Sequence, residues 1–126
     1  MAEFSDYTEN KIIEVMRATN FTAAAAYVAL YTTDPTDADT GTEVNGGSYA
    51  RQLAGLSVAS GGASSNAADI TFPTATAAWG TITHVGLRDA VTLGNLYMHS
   101  ALDVSKTVAT GDTFKISAGD LDVTIS

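Results

Sequence analysis

Six side chains in this sequence have types and spacing that suit chemistry. Asp34, Asp37, Asp39 and Glu43 crowd into "DPTDADTGTE", and His84 and His99 follow in "TITHVGLRD" and "GNLYMHSAL". Calcium takes about six to eight oxygen ligands, so a loop this acidic is a natural place to look for one. The EF-hand register fails, however. With Asp37 as its first position, Asp39 stands third but Gly41 stands fifth, and no glutamate occupies the twelfth. The loop therefore reads as structural: Asp34-Pro35 opens a turn, the acids stay hydrated, and Gly46-Gly47 lets the chain reverse. Two histidines on neighbouring strands can share a metal with Asp89 or Asp103, yet no His-x-His or His-x3–5-His spacing supports it. No metal and no cofactor are expected.

Catalytic patterns are equally thin. Gly-x-Ser-x-Gly does not occur, and the serines of "SGGASS" lie in a low-complexity loop with no histidine nearby in sequence. The acids stand mostly beside Gly, Thr or Pro, where aspartate accepts backbone N–H bonds in turns rather than pairing across a cleft. "GTEVNGGSYA" lacks the Gly-Lys-Ser/Thr ending that grips phosphate. The expectation is no enzyme. The reading that remains is a protein whose work is contact.

Charge and composition narrow the partners. Fourteen acids against six bases give a formal charge of -8, which repels nucleic acid and anionic lipid. No apolar run approaches the roughly twenty residues of a membrane span. "MAEFSDYTEN" has neither the basic nor the apolar region of a signal peptide, so the chain is expected to start near Met1 without a leader. There is no cysteine, which excludes disulfides and thiolate metal sites. Long charged side chains are few beside Ala, Thr and Gly, as befits a surface that meets other protein.

The elements that must position these residues read as one helix followed by strands. The helix is expected over residues 5–19, capped by Ser5 or Asp6, with Asp6 and Glu9 at capping-box spacing. Its apolar face holds Ile12, Ile13, Val15, Met16 and Thr19, with Tyr7 one turn or more upstream, opposite Lys11, Glu14 and Arg17. That face packs on the domain's own sheet or docks on a neighbouring subunit. Strands are expected over 27–33, 49–58, 69–72, 80–89, 95–102, 113–116 and 121–125, separated by glycine- and aspartate-rich turns. The segment "ASGGASSNAAD" reads as a mobile loop. The fold class is mainly β: an antiparallel β-sandwich of about seven strands preceded by one N-terminal α-helix. The chain reads as a single domain, 1–126, with the helix in 1–20 and the sandwich in 27–126.

Four blocks carry a family resemblance: "YVALYTTDPTDADTGTEVNGGSYARQ", "ITFPTATAAWGTITHVGLRDA", "GNLYMHSAL" and "VATGDTFKISAGDLDVTIS". Together with "FSDYTENKIIEVMR" they resemble a family of small bacteriophage virion proteins commonly labelled phage tail fibre proteins, similar to head decoration or cement proteins. The resemblance implies a virion surface component made in the host cytoplasm. It also implies contact with the major capsid protein or tail proteins, and no catalytic residues to carry over. Length and the lack of a shaft favour a decoration protein that stabilises the head as a homo-oligomer. The alternative is a tail fibre or receptor-binding module. A small carbohydrate-binding or carbohydrate-active domain comes third, for want of an acid pair. Candidate interface residues are Ile12, Ile13, Val15 and Met16 on the helix, with Phe72, Pro73 and Trp79 in "TFPTATAAWG". For Trp79 a place in the sandwich core competes with a place in an interface.

Overall fold

The computed structural model describes residues 3–125; the expected start at Met1 lies outside them, with Ala2 and Ser126. Among the described residues the chain is mainly β, antiparallel, with one helix. Its elements are β1 (Glu3–Phe4), α1 (Asp6–Met16), β2 (Tyr27–Tyr31), β3 (Gln52–Leu53), β4 (Ala63–Ser65), β5 (Ile70–Thr71), β6 (Gly80–Arg88), β7 (Leu96–Val108), β8 (Lys115–Ile116) and β9 (Asp122–Thr124). A five-stranded sheet runs β1-β7-β6-β2-β3, and β4-β9 and β5-β8 form two small ribbons. Every pairing is antiparallel.

Strand alternation gives the sheet two different faces. On one face Val28 and Leu30 lie opposite Leu87 and Val85. These four belong to the hydrophobic core with Ile70, Phe72, Trp79, Ile82 and Phe114, so the β5-β8 ribbon covers this face in a sandwich-like arrangement. On the other face Ala29 lies opposite Gly86 and Tyr31 opposite His84, while Gly86 in turn faces His99 and His99 faces Glu3. Residue 86 must be small. A Cβ there would come within 2.8 Å of Leu96 and 2.9 Å of the Tyr31 ring. Val28, Ala29, Leu30 and Tyr31 are all buried, so both faces of β2 are covered.

The helix is shorter than its apolar pattern. Ser5 is the N-cap, accepting from Thr8 N–H at 3.3 Å, while its hydroxyl donates to the Leu96 carbonyl of β7. The backbone N–H groups that a capping box would give to the Glu9 side chain go to carbonyls instead, Ser5 N–H to Tyr97 O at 3.1 Å and Asp6 N–H to Asp37 O at 2.9 Å. At the other end Ala18 takes a left-handed φ of 65°, and Thr19 N–H closes on Glu14 O at 2.9 Å, which stops the helix before residue 19. The inner face of the helix is Tyr7, Thr8, Lys11 and Glu14, half-buried at three- and four-residue spacing, where Tyr7 lies apart from the aliphatic stripe and Lys11 and Glu14 turn inward against expectation. Tyr7 lies 6.3 Å from the Tyr97 ring of β7. Ile12, Ile13, Val15 and Met16 are left on the outside.

"ASGGASSNAAD" is not a free loop. It contains β4, whose Ala63, Ser64 and Ser65 pair with Thr124, Val123 and Asp122. Asn66 is buried and holds it: its amide donates to Ala68 O and Ser117 O at 2.9 and 3.0 Å and accepts from Leu121 N–H at 2.9 Å. Four tertiary hydrogen bonds through one side chain and its backbone overcome the low propensity of a Gly/Ser run. By contrast, only Gln52–Leu53 of the expected strand 49–58 pairs in the sheet.

Candidate functional site

The acidic loop folds back over the polar face of the sheet. It is closed by Thr40 N–H on Pro35 O at 2.6 Å and Thr42 N–H on the Thr33 hydroxyl at 2.8 Å. Gly41 packs so tightly on Pro35 that a Cβ would reach its Cα at 2.6 Å. The expectation of hydrated acids is corrected for Asp39 and Glu43, which arginines hold on that face, whereas Asp34 and Asp37 stay more than half exposed and Asp34 opens the turn as expected, accepting Thr36 N–H at 2.9 Å.

Two of them take arginine. Asp39 grips Arg88 in a fork, at 2.7 and 2.8 Å. Glu43 grips Arg51 the same way, at 2.8 and 2.7 Å, and accepts the Tyr49 hydroxyl at 2.6 Å. Burial pushes Glu43 up, but the Arg51 and Tyr49 hydrogen bonds outweigh it and hold the carboxyl below its usual range. Burial, and then the bond to Glu43, pushes the Tyr49 phenol well above its ordinary range. Both guanidiniums are buried, and their remaining N–H groups reach into the turn between β6 and β7. Arg51 donates to Ala90 O and Leu93 O at 2.8 Å, and Arg88 donates to Gly94 O at 2.9 Å and to the Tyr31 hydroxyl at 2.9 Å. Asp89 caps the same turn through Asn95 N–H at 2.7 Å and so works as a turn residue. The turn is thereby braced from inside while Val91 and Leu93 stand out in solvent, Leu93 84% exposed.

The other two acids take histidine. His99 is buried, and its Nε2 lies 2.8 Å from Asp37 Oδ1 and 3.9 Å from Glu3 Oε2. Its Nδ1 is 3.8 Å from Asp34 Oδ1, and the other oxygen of Asp34 is 3.9 Å from His84 Nε2. The two histidines do share a carboxylate, but it is Asp34 rather than Asp89 or Asp103. Nothing in the sequence spacing marks Glu3, which arrives through the pairing of β1 with β7.

The expected contact residues divide. Ile12, Ile13, Val15 and Met16 are 39, 52, 52 and 74% exposed and form a continuous aliphatic surface on α1. Phe72 and Trp79 are 1 and 5% exposed and belong to the core, which corrects their place in a candidate surface; Pro73 is half-buried between them. Trp79 is enclosed because its ring meets Tyr49 edge-on at 5.4 Å and Phe72 at 6.5 Å, and its indole N–H donates to Gly47 O at 2.9 Å. Gly47 has a φ of +59°, and a Cβ there would come within 2.9 Å of the indole nitrogen. Gly46-Gly47 thus seats the tryptophan besides turning the chain.

Comparison with known proteins supports the family resemblance. The model of the family described as podophage GP4 fiber I protein gp80 matches residues 3–124. No curated protein matches the sequence. The chain belongs to that fibre family and is a phage structural protein.

Proposed function

We propose that this member of a podophage fibre family is a fibre component that works by protein–protein contact in the virion, with α1 as its fastening surface. The observation that carries this reading is the aliphatic face of Ile12, Ile13, Val15 and Met16, turned away from the sheet on a helix whose inner side is already seated. An isolated helix of this length is marginal in water, so its seating on β7 is what keeps the face presented. Four neighbouring exposed aliphatic side chains are the kind of patch that a partner covers. The braced turn with Val91 and Leu93 is a second rigid apolar surface, available for a further virion protein or a host receptor. A role as a capsid decoration protein uses the same contact chemistry on a different lattice.

The test pairs a surface variant with a count. Ile13→Asp with Met16→Asp should leave the melting transition of the chain unchanged, since both side chains are exposed. Co-sedimentation with particles lacking this protein should fall by about tenfold or more. Full attachment of that variant overturns the helix as the fastening surface. Quantification in whole virions then separates the locations: a handful of copies fits a fibre, and hundreds fit head decoration.

A further inference from the structure

We propose that Glu3, Asp37 and His99 form a binding site for a divalent transition metal, with Zn2+ as the best-suited ion and Asp34 as the group that orients His99. One ligand atom from each of Glu3, Asp37 and His99 lies within 4.8 Å of the others. A tetrahedral Zn2+ site with bonds of about 2.1 Å needs ligand atoms about 3.4 Å apart. Asp37 Oδ1 and His99 Nε2, at 2.8 Å, are already that close, and Glu3 Oε2 is 3.9 Å from the same nitrogen. Glu3 and Asp37 are 65 and 51% exposed, so both have the freedom to close on an ion and leave a path for its entry. His99 is fixed: it is 4% exposed and held on β7 between β1 and β6.

Two further observations point to a cation. The first is charge. Among the described residues, the ion pairs of Glu3, Asp34 and Asp37 run only to imidazoles, whereas Asp39 and Glu43 in the same loop each hold an arginine. Three carboxylates against two imidazoles leave negative charge over even with both rings protonated. The second is the arrangement behind the ring. Nε2 faces Asp37 and Glu3, and Nδ1 faces Asp34 at 3.8 Å on the opposite side. A carboxylate behind a metal-bound imidazole fixes the tautomer and raises the basicity of the ligating nitrogen. When Nε2 gives its lone pair to the ion, the ring proton is on Nδ1; Asp34 Oδ1, which accepts from Thr36 N–H at 2.9 Å, lies 3.8 Å from that nitrogen and closes to hydrogen-bond distance with a movement of about 1 Å. One imidazole and two carboxylates select zinc-like ions over Mg2+ or Ca2+, which prefer all-oxygen sites. The site is independent of the fibre reading, and it ties β1 and the acidic loop to the central sheet.

The experiment is calorimetric titration of the tag-free full chain, stripped by chelator, with ZnCl2, MgCl2 and CaCl2, together with melting curves. Zn2+ should bind one ion per chain and raise the melting temperature, and Mg2+ and Ca2+ should not. Glu3→Gln and Asp37→Asn, exposed and nearly isosteric, should each weaken Zn2+ binding by about tenfold or more, with only a small change in the metal-free melt. Asp34→Asn should weaken it by about ten- to a hundredfold. Asp103→Asn, a carboxylate on the same strand outside the site, should bind like the parent. The His99 ring nitrogens give a direct readout, since Nε2 should shift in 15N spectra and Nδ1 should carry the proton. No heat and no melting shift with Zn2+ overturns the proposal. Unchanged affinity in Glu3→Gln and Asp37→Asn, or equal response to Ca2+, also overturns it.

Discussion

The acidic loop can be compared with itself. Asp39 and Glu43 at one end and Asp34 and Asp37 at the other are the same chemistry within ten residues, packed over the same face of one sheet. Asp39 and Glu43 meet arginines whose side chains are 9 and 7% exposed, in forked pairs, and are themselves 33 and 23% exposed. Asp34 and Asp37 meet imidazoles and are 57 and 51% exposed. Arginine keeps its charge at any ordinary pH and fills its remaining donors with backbone carbonyls. Imidazole holds one charge only when protonated, and its ring nitrogens are open to a metal. One end of the loop is therefore a forked clamp on the β6–β7 turn, and the other rests on a single hydrogen bond, between His99 Nε2 and Asp37 Oδ1 at 2.8 Å. What differs is the partner that the strand register supplies, not the acids.

The largest break in this comparison should come from Arg88→Ala. It leaves Asp39, the Tyr31 hydroxyl and the Gly94 carbonyl without their donor, and removal of one partner of a buried pair costs about 3 to 5 kcal/mol. Urea denaturation should show it, with added mobility of residues 89–95 in hydrogen exchange. A loss under about 1 kcal/mol would mean that the clamp is dispensable.

Glu43→Gln should cost less, about 2 kcal/mol, because an amide keeps part of the Tyr49 and Arg51 bonding but loses its charge. The same residue gives the comparison a pH signature. Its folded pKa lies below the unfolded value of 4.5, so its stabilisation is fully present above that pH. It is lost as pH falls below 4.5 through the folded pKa, and in Glu43→Gln this part of the acid limb should vanish. Melting curves from pH 7 to 3 on both proteins measure the difference.

The smallest effect belongs to the histidine end. Asp37→Asn in metal-free buffer should change stability by less than about 1 kcal/mol, as half-exposed ion pairs do. A loss as large as that of Arg88→Ala would erase the contrast between the two ends.

Much of the frame was legible in the chain itself. The mainly β class, the one helix and the strands around Tyr31, His84 and His99 follow from turn residues and apolar patterning. So does the family, from blocks that run nearly end to end. The outward aliphatic face was visible as a stripe, but its direction was not. Periodicity shows that Ile12, Ile13 and Met16 lie on one side of a helix, and the Ser5 bond to Leu96 and the Tyr7–Tyr97 contact choose which side turns inward. Trp79 was ambiguous in sequence because small neighbours suit either a surface or a core; Tyr49, Phe72 and Gly47 enclose it from distant positions.

The charged cluster shows where the boundary falls. The sequence by itself determined that four acids sit in one turn-rich loop and that two histidines lie on strands, since both are local facts. Only the tertiary structure decided which acid meets which base. The partners are 8 residues away for Glu43 and Arg51, 49 for Asp39 and Arg88, and 62 for Asp37 and His99. The antiparallel register puts Glu3, His84, Arg88 and His99 on the face that the loop covers. A shift of one residue in that register would send them to the core side, and the same acids would be left in water.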